Sequence, residues 1–476
     1  MNLLYIAIFT IGALLYAWLL PARWRRWALL VASVIAVYRL QPALFVRYLD
    51  YILPTLTLLL CIVVWWLTRV PENDTRREDR ISFVVIAALI ISLSLTRYLI
   101  PELRPLPSRP PDTLIVIIVL ALAAGILAVL WWLLRGWNKL LTAAILLIVA
   151  LFIVLKTEPL ATAVSSVLRG WNAQDVILAG AADLSWLGFS YVAFRLIHML
   201  RERQMGKLPA LSLREHMTYV IFFPALTAGP IDRAERFVKD LRALSEIALF
   251  TAPRLVEGVG RIVVGLFKKF VVGDSLALFA LNTTNAEQAV STGALWLLLY
   301  VYAFRLYFDF SGYSDIAIGI GILLGVRLPE NFDRPYLKQN IAAFWQSWHI
   351  TLSNWVRFYV FSPLSRTLLM RKTNPLATVL IAQLVTMTII GLWHGVSWNF
   401  LIWGLWHGIG LFIHKVWSER TRKHYLALNQ RPRLKQLWTS VGILLTFHFV
   451  VLGWVWFVLP DMALAWRVWL RLYGIG

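Results

Sequence analysis

Apolar runs of about 17–25 residues, the length that crosses a bilayer's hydrocarbon as a helix, recur along this chain. They fall approximately at 2–20, 27–39, 51–67, 81–96, 113–134, 140–155, 184–200, 217–229, 253–272, 293–308, 313–325, 349–365, 376–393, 396–414 and 439–459. The pattern predicts an all-α polytopic membrane protein with about eleven or more transmembrane helices. The runs at 217–229 and 313–325 are too short or too polar to cross straight. They predict re-entrant or broken helices packed against protein.

The texture changes along the chain. Residues 1–170 are mostly Leu, Ile, Val and Ala, and are expected to be scaffold. From about 184 polar residues, Pro and Gly interrupt the apolar runs, and 418–476 reads as a basic loop and a last span. All of it reads as one membrane-embedded domain. There is no long-period internal repeat, which counts against a transporter built from inverted repeats.

Composition sharpens this reading. With 59% hydrophobic residues and a mean hydropathy of +0.69, a chain of this length needs a bilayer as solvent. A net charge of +21 would fit nucleic acid if it formed one stripe, but the cations flank the apolar runs, as the positive-inside rule requires. No nucleic-acid partner is expected. With the N-terminus outside, the cytoplasmic loops hold Arg23, Arg25, Arg26, Arg69, Arg76, Arg77, Arg80, Arg135, Lys139, Arg201, Arg203, Lys207 and Arg214. The alternate loops hold only Arg39, Arg47, Arg97, Arg104, Arg109, Lys156 and Arg169. The first run has neither a preceding cation nor a clear cleavage site, so it is expected to be a retained helix. The single Cys61 excludes an internal disulfide and a cysteine-based metal site, and no metal is expected.

Three stretches carry candidate chemistry. Asp309 and Asp315 lie in apolar surroundings, separated by Phe310-Ser311-Gly312-Tyr313-Ser314. A carboxylate in lipid needs a partner or water. The small residues between them predict a helix break whose freed amides meet the carboxylates, a structural task more than a catalytic one. Next, in "FWQSWHITLSNW", a helix would place Trp345, His349 and Ser353 on one face as the lining of a passage. Finally, "GLWHGVSWNFLIWGLWHG" writes Leu-Trp-His-Gly twice within 391–408. On one straight helix His394 and His407 stand about 140° apart, so they cannot share a face unless Gly395 and its neighbours bend the chain. His394, after an apolar run and therefore expected deep in the membrane, is the candidate general base. His407 is the candidate structural partner. Trp393 and Trp398 join Trp345 and Ser353 as candidate lining.

"YFDFSGYSDIAIGIG", "LPENFDRPY", "FWQSWHITLS" and "FFPALTAGPIDRAERF", with "LGFSYVAFRLIH" as a looser match, resemble the membrane-bound O-acyltransferase family over roughly 184–417. The likeness is to the bacterial branch of alginate O-acetyltransferases and teichoic-acid D-alanyl transferases. It implies His394 and His349 as catalytic residues, with His394 the principal one. It also implies a multi-pass protein of the bacterial plasma membrane that passes an acyl group, acetyl first, from a cytoplasmic donor to a hydroxyl outside. The donor substrate would be acyl-CoA or an acyl-carrier thioester, with no bound cofactor. The acceptor would be an extracytoplasmic polysaccharide, reached directly or through a separate extracytoplasmic acyltransferase, and a carrier protein is a further expected partner. D-alanyl transfer to teichoic acid is the alternative; a transporter or lipid-linked sugar flippase is the alternative of another class. Two departures from the family pattern, Gln346-Ser347 for Arg-Arg and Phe358 for Asp, remove charge near the passage.

Overall fold

A computed structural model describes residues 2–70, 75–100, 106–133 and 137–475. Arg104 and Arg135, both used in the charge count above, lie outside them. The described residues form helices and no strand; one isolated antiparallel bridge pairs Phe332 with Trp348. The chain divides into two units, residues 1–260 with 317–328, and residues 261–316 with 329–476. Six described helices are long and apolar enough to cross a membrane.

In the first unit, α1 (Leu3–Leu19), α2 (Ala22–Leu40), α3 (Leu49–Thr68), α4 (Arg76–Leu99), α5 (Thr113–Leu133) and α6 (Trp137–Lys156) follow the apolar runs closely. Next come α7 (Glu158–Trp171), α8 (Phe189–Gln204), α9 (Leu213–Val220) and α10 (Ala234–Ala243). The run at 217–229 does not cross as one helix: α9 ends at Val220 and the chain continues as a short 3₁₀ turn at Phe223–Ala225. Arg169, counted above as a loop cation, lies buried on α7 and grips Asp183 through two hydrogen bonds of 2.7 and 3.1 Å.

The unit's inner brace joins two of the quoted motifs. Arg195 of α8, 2% exposed, donates to the carbonyls of Val220 and Ala225 at 2.8 and 2.7 Å. One helical turn on, His198 Nε2 accepts the Ala234 amide at 3.1 Å. The Tyr219 hydroxyl donates to the Asp232 carbonyl, and Arg236 pairs with the Asp232 carboxylate. Gly229 is required here because a Cβ would stand 2.7 Å from the Ala225 side chain. "LGFSYVAFRLIH" therefore holds "FFPALTAGPIDRAERF" in its bent course by satisfying its backbone.

α11 (Ala252–Leu266) continues as a π-helical turn over Phe267–Gly273. Two short helices follow, α12 (Asp274–Ala277) and α13 (Thr283–Gln288), and then α14 (Thr292–Leu324), 33 residues long. In the second unit come α15 (Ile341–Trp345), α16 (Ile350–Val356), a π-helical turn at Arg357–Phe361, α17 (Ser362–Met370), α18 (Pro375–His394), α19 (Trp398–Ala427), α20 (Pro432–Val458) and α21 (Met462–Arg471).

The helix break expected between Asp309 and Asp315 is absent, since α14 runs through both. The small residues serve a close helix approach instead. A Cβ on Gly312 would lie 2.7 Å from the Gly265 carbonyl and 2.8 Å from the Lys269 amide. At this crossing Asp315 receives Arg261 Nε at 2.5 Å and Lys268 Nζ at 2.7 Å, and Asp309 pairs with Lys269. Arg261 also reaches Glu330. Cations on the neighbouring helix, not freed amides, are what the carboxylates bind.

Candidate active site

The site is built on α15–α20 of the second unit and on the part of α14 up to Ile316. α18 and α19 form an antiparallel hairpin that reverses over Gly395-Val396-Ser397, where Ser397 caps α19 by accepting the Phe400 amide. Glycines let the two backbones meet: a Cβ on Gly404 would lie 2.6 Å from the Met387 carbonyl, and one on Gly408 3.1 Å from the Leu384 side chain. Such small-residue seams replace the hydrophobic drive that helices lack inside lipid. His394 and His407 thus sit on different helices. The bend allowed for at Gly395 is a full reversal.

His394 closes α18 and is half-buried. It is the last residue of this 20-residue helix. Its ring meets Trp393 at 4.6 Å, Phe457 at 4.7 Å, Trp403 at 5.6 Å and Phe400 at 5.8 Å between centroids.

His349 departs from the expected geometry. Trp345, His349 and Ser353 do not share a helical face, because α15 ends at Trp345 and α16 starts at Ile350. His349 itself adopts the left-handed conformation, φ 42° and ψ 54°. The cause is a distant segment that takes the backbone bonds a helix would have used. Asp333 N donates to the Ser347 carbonyl at 3.0 Å, and Ile350 N to the Asn331 carbonyl at 2.9 Å. The Asn331 side chain, fully buried, accepts the Thr351 hydroxyl at 2.6 Å. Asn331 was missed as a site residue, although it lies in the quoted "LPENFDRPY". Just outside this loop, the Lys338 ammonium 2.7 Å from Asp333 holds that carboxyl below its usual range.

His349 is 2% exposed, and neither of its ring nitrogens meets a hydrogen-bonding group of another described residue. Phe310 packs edge-on at 4.7 Å, and Trp393 lies 6.1 Å away. Trp393 therefore borders both His349 and His394. His407, fully buried, accepts the Trp345 indole N–H on Nδ1 at 3.4 Å, while Trp403 packs at 4.9 Å. Gly453 makes room for this imidazole, since a Cβ there would lie 3.1 Å from its Nε2. Trp403 separates His407 from His394 and was not singled out from the sequence, although it lies inside the repeated stretch. Its rings on both sides could be found only once the hairpin was folded.

A cavity of about 300 Å³ opens beside this shell. Trp345 and Ser353 line it, together with Gln346, Arg357 and Gln383. Trp393 and Trp398 do not; Trp398 is 72% exposed on the first turn of α19. The departure at Gln346 therefore faces the cavity, and Phe358 falls in the π-helical turn at its edge. No group of three or more His, Cys, Asp or Glu suited to a metal ion occurs among the described residues.

These features define a polytopic helical membrane protein with imidazoles set in an aromatic shell. The sequence profile of the membrane-bound O-acyltransferase family matches residues 115–459, and the chain belongs to that family. It is an O-acyltransferase by class. It is 34% identical over 286 residues to the teichoic acid D-alanyltransferase of Streptococcus thermophilus, covering 58% of this chain and 68% of that protein. It is 36% identical over 291 residues to a probable alginate O-acetylase of Pseudomonas aeruginosa, covering 61% and 52%. With the peptidoglycan O-acetyltransferase of Helicobacter pylori it shares 35% identity over 264 residues, covering 55% and 47%. The match spans about half the length of the last two.

Proposed function

We propose that the chain transfers an acetyl group from a cytoplasmic thioester to a hydroxyl of an extracytoplasmic polysaccharide, or to a partner protein that carries it onward. His394 takes the proton of the attacking hydroxyl as its oxygen bonds to the thioester carbonyl carbon. The C–S bond then breaks and the leaving thiolate takes up a proton. The His349 imidazole stabilises the carbonyl oxygen as it gains charge. The observation that carries this reading is His349, buried and left-handed, with ring nitrogens that no neighbouring residue engages, beside the Trp393–His394 pair. D-alanyl transfer from a carrier-protein thioester is the second reading, favoured by the D-alanyltransferase relative and its 68% coverage.

His394→Ala decides the mechanism. General-base help is worth about 10²–10⁴ in rate, so labelled product should vanish while the protein reaches the membrane at normal level. Wild-type-like acylation in that variant would sink the assignment. Sidedness follows from the charge count: the N-terminus lies outside, and the basic stretches around 201–214 and 415–435 face the cytoplasm. In sealed vesicles of known orientation, label supplied as acetyl-CoA should reach an outer acceptor only from the cytoplasmic face. Supply of D-alanyl carrier thioester instead separates the two readings.

A further inference from the structure

The second unit has another cavity, larger than the one beside the histidines. A groove of about 840 Å³ runs between α19 and α20, and its wall includes neither His349 nor His394. Its floor is apolar and aromatic, formed by Trp406, Ile413, Phe449 and Leu445. Toward one end stand Trp417 and Trp438, 54% and 47% exposed. Beyond them the chemistry changes to Thr421, Arg422 and Tyr425, and no carboxylate lines the groove anywhere.

Two observations say what this groove takes. The first is charge. Arg422 lines it and has no hydrogen-bond or ion-pair partner among the described residues. The surrounding arm, 415–435, holds seven Lys or Arg against one acid, Glu419, which is already paired with Lys415. The second is length and setting. From Trp406 to Arg422 is 16 residues of helix, about 24 Å at 1.5 Å per residue. That exceeds one leaflet of hydrocarbon, half of about 30 Å, by roughly the depth of a headgroup region. One wall, α20, is itself a candidate membrane span. Exposed indoles at the change from apolar to polar lining are where a membrane–water boundary favours them.

We infer that the groove between α19 and α20 is a binding site for an anionic phospholipid, with its acyl chains on the Trp406–Leu445 floor and its phosphate at Arg422. A long-chain acyl-CoA is the other anionic amphiphile of this size. The wall's lack of both His349 and His394 argues against it, since a thioester held there would not be presented to them.

The test uses the full chain in detergent, with dioleoylphosphatidylglycerol, dioleoylphosphatidylcholine and palmitoyl-CoA as separate probes, and native mass spectrometry together with thermal unfolding as readouts. Phosphatidylglycerol should be retained through delipidation and raise the unfolding midpoint, and phosphatidylcholine should do neither. One cation near a membrane surface changes affinity for anionic lipid about fivefold, so Arg422→Gln should cut retention by about that factor and Arg422→Lys should restore most of it. Arg420→Gln, on the same arm but outside the groove wall, should change retention less. Leu445→Trp, which fills the floor and leaves the charge, should also lower retention. Equal retention of the two lipids, an unaffected Arg422→Gln, or preference for palmitoyl-CoA would each overturn the assignment.

Discussion

The brace in the first unit and the shell in the second both bury histidine, and they treat it oppositely. His198 accepts the Ala234 amide, one turn from an arginine that donates to two backbone carbonyls. These three bonds repair an irregular stretch of main chain, as membrane proteins require of non-helical backbone. His349 repairs nothing. Its ring nitrogens are buried without a hydrogen-bond partner among the described residues, and its backbone sits in a left-handed well that costs of order 1–3 kcal/mol for a residue other than glycine. Unpartnered ring nitrogens alone do not mark a site, since the buried His216 of the first unit has them too; what sets His349 apart is the left-handed backbone beside the Trp393–His394 pair.

The difference can be broken most severely by paired substitutions. His394→Ala should remove activity and spare the fold. Arg195→Met should do the reverse: it deletes two charge-assisted bonds to buried carbonyls, at about 1.5–3 kcal/mol each. The expected outcome is a large drop in folded yield and thermal midpoint, with near wild-type activity per folded molecule. A stable but inactive Arg195→Met would place the brace in the chemistry and dissolve the distinction.

His407 tests the boundary between the two behaviours. It is as buried as His349, yet it holds the Trp345 indole, and its other nitrogen faces Gly453. His407→Ala leaves a void among Trp345, Trp403 and Phe449 and strands a buried donor. Void plus stranded donor should cost about 2–4 kcal/mol, read as a lower melting temperature accompanying any loss of activity. A fully stable yet dead variant would move His407 into the catalytic set.

How much of this was legible in the sequence depended on the range of the interaction. Apolar runs located α1–α6, α18 and α20 because a span's signal is local. The amphipathic α7, α10 and α21 escaped a search for long apolar runs, since α10 buries only Phe237, Val238 and Leu241 with Ala234 on one stripe. The small residues around Gly312 were visible, but glycine serves a break and a close approach equally. The choice lay with Gly265 and Lys269, more than forty residues away. The turn at His349 was hidden for the same reason: its backbone partners come from 331–333. The doubled Leu-Trp-His-Gly drew attention to His394 and His407, but only the hairpin shows that Trp403 stands between the two histidines.

Gly312→Ala probes the crossing that replaced the expected break. The added methyl must displace the Gly265 carbonyl or the Lys269 amide. Overpacking of this kind costs about 1–3 kcal/mol. It should also loosen the pairing of Asp315 with Arg261 and Lys268, which Asp315→Asn would mimic without the steric push. Both variants should melt earlier; an unchanged midpoint in Gly312→Ala would show that the crossing is not tightly packed.

The smallest effect is expected at Ser353, and it bears on whether the 300 Å³ cavity belongs with the shell or with the brace. The Ser353 hydroxyl donates to the Trp348 carbonyl at 3.1 Å, so by its bond it behaves as a brace residue, though it lines the cavity. Ser353→Ala loses one neutral hydrogen bond at about 0.5–1.5 kcal/mol. If bracing is its whole task, the midpoint falls slightly and kcat/KM stays within about threefold of wild type, under 1 kcal/mol of barrier. If the cavity holds part of the donor, the cost appears in KM with little change in stability. A tenfold rise in KM at an unchanged melting temperature would therefore extend the substrate-facing surface from the histidines past Trp345 to Ser353. Loss of stability alone would leave that surface with His349 and His394.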